Sequence, residues 1–430
     1  MNIFQIIYFA LLLYFFHNFK RAFLLYVLLK IFLNLNINLV NLPGIPLLSL
    51  ELFMNTFICI YFFLLKDRLY FNNEKFPLKQ AFILCCMSIF ISSIFSITGF
   101  SNAITRAIQV GINNYVFIYV FWRVVREKED IIFLIKGFTY IFLLLGFYGF
   151  YEKFTGTNPL IEYEISLNPL TKTFDWRYGQ FNRLGMGRVS SAIIHPIGFG
   201  AYLSIIITFY LIIQYKFKKN WTFNIYTKSI LFFLCFCCLF FTNSRSPIIF
   251  LFISIFPFIN LREKKSYKFI YSFLVMSLLA WDFIEPYFKN IISLFDISVS
   301  SEVRGSSIEM RAIQFTTTFN IMLKSPFIGL GVKSLDNMLG IKGLFGAESI
   351  WMYLLIERGL FGVISYFYLI LSILKIGMGN IRHFIWAMTI AWLTLESITS
   401  TPGIEMSFFL IIIFILNRIQ ILSKQCLLLK

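Results

Sequence analysis

Three arginines stand where a guanidinium could hold an anion: Arg188, Arg245 and Arg311. Each lies where a polar stretch meets an apolar run. Arg188 precedes Val-Ser-Ser-Ala-Ile-Ile-His-Pro-Ile-Gly, which leads straight into an apolar segment. Arg245 is squeezed into Thr242-Asn-Ser-Arg-Ser246, a tight break between two apolar runs. Arg311 begins a helical-looking run that ends at Ser325-Pro-Phe-Ile-Gly-Leu-Gly331. A guanidinium at membrane depth costs roughly 3 kcal/mol unless it meets a partner or a wet cavity. Its planar fork and permanent charge suit the oxygens of a phosphate. The plain alternative for each is an interfacial arginine whose head snorkels to the lipid surface.

Candidate proton acceptors are few. Glu348, followed by Ser349, could take a proton from a hydroxyl if burial raises its pKa, although an acid and a serine equally suit the start of a helix. His195 precedes Pro196, a helix-start pairing, so it reads either as a base or as an interfacial cap. Glu396, in Leu393-Thr-Leu-Glu-Ser-Ile-Thr-Ser, is an ionisable group near membrane depth and a functional candidate on that ground. Asp282 and Glu285 are explained by capping or solvation at the end of a run. There is no Walker loop, HExxH, GxSxG or paired-aspartate DxD motif. The seven cysteines have no zinc or redox spacing and read as small packing residues. No metal and no cofactor is expected.

The elements that must position these groups are membrane helices. Of the 430 residues 58% are hydrophobic and only 14% charged, and the mean hydropathy is +0.77. A soluble domain that apolar has too little polar surface to cover itself. Phenylalanine, at 55 positions, serves against lipid as well as leucine does and calls for no aromatic box. Met1–Phe16 begins without a basic region and reads as a first span rather than a removed signal peptide. Thirteen apolar runs are candidates, the shortest of them marginal, so 12 to 13 transmembrane helices are expected: Ile3–Phe16, Ala22–Val40, Leu47–Leu65, Gln80–Ile97, Ala107–Phe121, Ile131–Phe150, Ile193–Ile213, Ser229–Phe241, Pro247–Ile259, Phe269–Phe283, Ile350–Leu374, Phe384–Leu395 and Met406–Leu416. The expected fold is therefore all-α and polytopic, one membrane domain over residues 1–430, with two large loops at 151–192 and 289–348.

The formal charge of +17 does not point to nucleic acid. Lysines and arginines fall in short clusters between runs, from Lys20/Arg21 to Arg418/Lys424/Lys430, and one threading places all seven clusters on the cytoplasmic side. The same threading puts both large loops outside. Those loops are cationic in part, with Lys153, Lys172, Arg177, Arg183 and Arg188 in the first and Lys289, Arg304, Arg311, Lys324, Lys333 and Lys342 in the second. They are either solvated loops of mixed charge or the rim of an anion-holding basin, to which Arg304 would contribute.

Four pieces resemble one family in its own order: Arg188 to Gly200, the Thr-Asn-Ser-Arg-Ser turn, the Arg311 to Gly331 run, and Glu348-Ser-Ile-Trp-Met-Tyr-Leu-Leu-Ile-Glu-Arg-Gly-Leu-Phe-Gly362. They look like the O-antigen ligase and Wzy-type polysaccharide polymerase family and span about half the chain. The resemblance implies a GT-C-like glycosyltransferase that works without metal on undecaprenyl-diphosphate-linked oligosaccharide, in the cytoplasmic (inner) membrane of a bacterium. By that analogy Arg188, Arg245 and Arg311 hold and neutralise the departing diphosphate, as fixed cations aimed at developing charge would, and the anomeric carbon inverts. Ligases of this family carry a histidine just before the Tyr/Leu-rich helix, where this chain has Glu348. That departure favours a polymerase of O-antigen, capsule or exopolysaccharide over a ligase passing finished glycan to another acceptor. A flippase or transporter of lipid-linked oligosaccharide is the rival from another class, though the distinctive charge sits in loops rather than at mid-membrane. The expected partners are the lipid-linked glycan and the bilayer, with a chain-length regulator and a flippase as the proteins to look for. Gly-containing turns around Gly340–Gly346 are the expected lid.

Overall fold

The computed structural model describes residues 3–32, 38–40, 48–69, 74–167, 182–183, 186–193, 195–217, 224–258, 308–338, 344, 349–377, 379–399 and 404–428. Helices α1 (Ile3–His17), α2 (Phe19–Phe32), α3 (Leu50–Leu69) and α4 (Lys79–Ile94) open the chain. A continuous helical rod follows, made of α5 (Phe100–Val110), a π-helical stretch (Gly111–Val116) and α6 (Phe117–Val124). Then come α7 (Lys128–Thr155), α8 (Pro159–Leu167), α9 (Pro196–Ile212), α10 (Ile225–Phe241) and α11 (Arg245–Ile255). The last third holds α12 (Ile308–Met322), the short α13 (Ser334–Met338), α14 (Ile350–Ile376), α15 (Arg382–Ile398) and α16 (Ile404–Leu428). Two small antiparallel strand pairs lie in loops: β1 (Asn38–Val40) with β2 (Leu48–Ser49), and β3 (Asn182–Arg183) with β4 (Met186–Gly187).

The fold is all-α and polytopic. Among the described residues, four helical stretches are long and apolar enough to cross a membrane: Lys128–Thr155, Pro196–Phe217, Ile350–Ile376 and Met406–Ser423. Several expected boundaries shift. Within the run Ala22–Val40, α2 is described as far as Phe32, and Asn38–Val40 pairs as a strand with Leu48–Ser49. The run Ala107–Phe121 sits inside a longer rod that starts at Phe100, after Gly99 with a φ of 90°. The run Phe269–Phe283 lies outside the described residues.

Side chains that a helix cannot show to lipid at modest cost are turned inward. Aromatic rings fill the centre, with Trp392 of α15 stacked on Phe409 of α16 at 4.8 Å and Tyr202 of α9 against Phe408 at 4.8 Å. Basic residues gather at one end of the bundle. There Lys20 bridges Glu127 at 2.7 Å and Asp130 at 3.0 Å, joining the starts of α2 and α7. At the same end Lys216 sits over the Phe384 ring at 5.2 Å, and Arg418 forks onto Glu74 at 2.8 and 3.3 Å. The opposite end is formed where α7, α10 and α15 finish and α9, α11 and α14 begin.

Helix α14 is broken in its middle. Gly359 has φ 59° and ψ −156°, a conformation essentially reserved for glycine. An unbroken helix would bond Leu360 N–H to the Ile356 carbonyl and Phe361 N–H to that of Glu357. Instead those donors reach Pro326 O at 2.8 Å and Phe327 O at 3.0 Å. The vacated Ile356 and Glu357 carbonyls accept Leu330 N–H at 2.7 Å and Gly331 N–H at 3.1 Å. Two helical bonds are exchanged for four to the Pro326–Gly331 loop, so irregular backbone inside the bundle stays satisfied. The Ser92 hydroxyl also donates to Glu357 O, and Lys333 N–H to the Glu357 carboxylate at 2.9 Å.

Candidate active site

The turn between α10 and α11 is the first part of the site. Thr242 ends α10, Asn243 turns with a φ of 47°, and Ser244 precedes Arg245 at the first position of α11. The turn can lie this deep because Gly200 of α9 makes room for it. A Cβ there would meet the Pro247 ring at 2.7 Å and Thr242 Oγ1 at 3.3 Å. Ser204 then donates to the Pro247 carbonyl at 2.8 Å, fixing α11 against α9.

Onto this turn folds the end of the first polar loop. Arg188 Nε donates to Thr242 O at 3.0 Å and one terminal nitrogen to Ser244 Oγ at 2.7 Å. Val189 N–H adds a bond to Phe241 O at 3.0 Å. The Arg188 side chain is thus held on the turn whose chain continues into Arg245, and both residues are buried, at 8% and 7% exposure. Of the residues expected from sequence, Arg188 is brought onto the turn that carries Arg245.

Glu152, at the end of α7, is a site residue that sequence reasoning missed. Its carboxylate accepts Ser190 N–H at 3.1 Å and Ser191 N–H at 2.6 Å, gripping the chain just after Arg188. Ser191 is held with a φ of 53°, and its carbonyl accepts the Asn158 amide at 2.8 Å. Left-handed backbone at a non-glycine residue persists only where its surroundings enforce it. The one signal available was an acid closing a long apolar helix. Nothing in the sequence ties it to residues almost forty positions away.

His195 caps α9: its exposed ring accepts the Ile197 N–H on Nδ1 at 3.2 Å, ahead of Pro196. The cap reading therefore accounts for one of its two nitrogens. The start of α14 reaches the same end of the bundle. Trp351 Nε1 donates to Ser397 Oγ at 2.8 Å near the end of α15, and Thr399 at that end meets Ser246 of α11 at 3.5 Å. Ser349 stands at the helix-cap position of α14, yet its fully buried hydroxyl makes no capping bond. Glu396 is buried one turn back on α15. Arg311 lies half-buried in the first turn of α12, a helix that packs against α14. Glu348, Arg304 and the expected lid at Gly340–Gly346, apart from buried Leu344, lie outside the described residues.

The chemistry available is that of an anion cradle. Arg188, the Ser244 hydroxyl and the start of α11 with Arg245 share a buried turn, groups of the kind that favour phosphate oxygens. Among the described residues no three His, Cys, Asp or Glu side chains gather as a metal site. No curated protein matches the sequence. Residues 230–367 match the family model described as O-antigen ligase, a span holding the Arg245 turn, Arg311 and the break of α14 at Gly359, with Arg188 to Gly200 before it. The chain is thus a multi-pass membrane protein whose residues 230–367 are similar to the O-antigen ligase family, in keeping with the ligase and Wzy-type family its motifs resemble.

Proposed function

We propose that this chain is a polysaccharide polymerase that transfers glycan from undecaprenyl diphosphate to a lipid-linked repeat unit at the outer face of the bacterial cytoplasmic membrane. The observation that carries the reading is the docking of the Arg188 guanidinium on the Thr242–Ser246 turn, the turn that holds Arg245. An acceptor hydroxyl attacks the anomeric carbon from the face opposite the diphosphate. The new glycosidic C–O bond forms as the bond to the diphosphate oxygen breaks. The electron pair leaves on the diphosphate, where the fixed charges of Arg188, Arg245 and Arg311 lower the barrier. The hydroxyl proton passes to a base, for which Glu348 is the first candidate and His195 the second. Inversion follows from the geometry of attack, and no metal takes part in this reading. Arg304 extends the cationic rim.

A ligase is the second reading, favoured by the description of the matching family model. It transfers the finished glycan to a different acceptor by the same bond exchange. The products separate the two: loss of a polymerase leaves single repeats, whereas loss of a ligase leaves long lipid-linked chains. The flippase reading predicts no new glycosidic bond at all. Purified protein given lipid-linked repeats and no nucleotide sugar is expected to lengthen the glycan. Arg245→Ala and Arg311→Ala, at equal expression, are expected to abolish long product, since losing one preorganised charge at such a centre costs about 10²–10³-fold in rate. Unchanged product in both variants removes the diphosphate cradle.

A further inference from the structure

A cavity lined by both polar and apolar groups lies at the opposite end of the molecule from the candidate active site. Its volume is about 450 Å³, and it opens between the segment before α4, the end of α14 and the last turns of α16. Gln420 lines it at 5% exposure, and neither its amide nitrogen nor its amide oxygen has a protein partner among the described residues. Trp122, also 5% exposed and in the lining, has an indole N–H without an acceptor among them, as has Arg418 Nε. Buried polar atoms without partners are rare and costly, so a cluster of them around one space calls for a ligand that completes it.

The charge of the lining says which ligand. Lys75, Lys375 and Arg418 face Glu74 as the single carboxylate. Arg418 forks onto Glu74 and lies over the Trp122 ring at 3.9 Å, which holds the guanidinium in place. Hydrogen bonding from Arg418 keeps the Glu74 carboxyl below the usual carboxylate range, so it remains an anion that cancels one cation. Arg126 and Arg123 come within electrostatic reach of the same carboxylate. The balance is positive, and the orphaned groups are mostly donors. Pro77, Ile376 and Ile421 supply apolar wall beside them. Donors and cations on one side with apolar wall on the other match a charged headgroup joined to hydrocarbon. Basic pockets between helices at the membrane surface take such lipids.

We propose that this cavity binds a phosphate oxyanion supplied by the headgroup of an anionic membrane phospholipid. Gln420, Trp122 and Arg418 donate to the phosphate, while Lys75 and Lys375 balance its charge. The site is separate from the transfer centre and does not depend on the proposed reaction.

The test uses purified full-length protein in detergent. Phosphatidylglycerol, a diacylglycerol with the same chains and inorganic phosphate are added in parallel, and native mass spectra and melting temperatures are recorded. Phosphatidylglycerol is expected to be retained and to raise the melting temperature, and the diacylglycerol to do neither. Gln420→Leu is expected to weaken phosphatidylglycerol about tenfold, the scale of one hydrogen bond to a charged group. Lys75→Gln with Lys375→Gln is expected to weaken it further. Without added lipid, Gln420→Leu keeps or raises the melting temperature, because it removes an unsatisfied amide, so a lost adduct is not lost folding. Equal retention of phosphatidylglycerol by parent and variants overturns the proposal, as does equal stabilisation by the diacylglycerol. Inorganic phosphate that reproduces the full shift by itself overturns the lipid source and assigns the oxyanion to solution.

Discussion

Gly200→Ala tests whether Arg245 is placed by helix packing. The new methyl would sit 2.7 Å from Pro247 Cγ, 2.9 Å from Pro247 Cβ and 3.3 Å from Thr242 Oγ1. Carbon atoms rest about 3.5–4.0 Å apart, so roughly 1 Å of movement is required. A proline ring cannot swing aside as a long side chain would. The start of α11 must move, and Arg245 lies two residues before that ring. Overpacking of this kind costs about 1–3 kcal/mol of stability. A misplacement of about 1 Å in a positioned group costs on the order of 10²-fold in rate. Melting temperature in detergent and glycan formed per unit protein should be measured side by side. The expected result is a modest fall in the first and a fall of about two orders of magnitude in the second. Gly111→Ala is the control: no heavy atom lies within 4 Å and its φ is helical at −58°, so the change is expected to be neutral or stabilising by up to about 1 kcal/mol. Activity of Gly200→Ala within a few-fold of the parent, with stability reduced, refutes the link between this packing and transfer. Unchanged stability refutes the packing argument itself.

Two further outcomes concern the scaffold. Gly359→Ala places a Cβ 2.6 Å from Pro326 O in a conformation essentially closed to alanine, a strain of about 1–3 kcal/mol before the clash is counted. A sharply lower melting temperature is expected, and an unaltered one disproves the broken helix. Lys30 and Glu51 form a buried ion pair at 3.3 Å between α2 and α3. Lys30→Met is expected to cost about 3–5 kcal/mol by stranding the carboxylate, and adding Glu51→Leu to recover most of it. A double variant whose loss equals the sum of the Lys30→Met and Glu51→Leu losses shows that the pair carries no net coupling.

The helical runs were legible because hydropathy over a span is a sum, and single residues hardly alter it. What hydropathy hides is alternation. Asn34, Asn36 and Asn38 alternate with Leu35, Ile37 and Leu39, a period-two pattern within a run apolar enough to pass for helix, and α2 ends at Phe32 with Asn38–Val40 as a strand. Arg188 and Arg245 were legible as charged residues at the ends of apolar runs. That Arg188 docks on the turn before Arg245 was not, because that turn lies against Gly200, a small residue inside a helix with no turn to announce it. Glu152 was missed for a related reason. Its partners are backbone N–H groups, which every residue carries and which leave no trace in a sequence.

Because Pro326–Gly331 threads into the gap of α14, neither stretch is complete without the other. A chimera that imports this loop from a homologue but keeps the host helix would bring donors to carbonyls at the wrong height. Transplants should therefore carry 325–331 and 350–362 as one cassette, together with Ser92 and the Ser96–Thr98 segment, whose hydroxyls and Ile97 N–H bond to Glu357, Leu330 and Val332. For anyone exchanging segments between such proteins, the natural cut points lie outside that cassette.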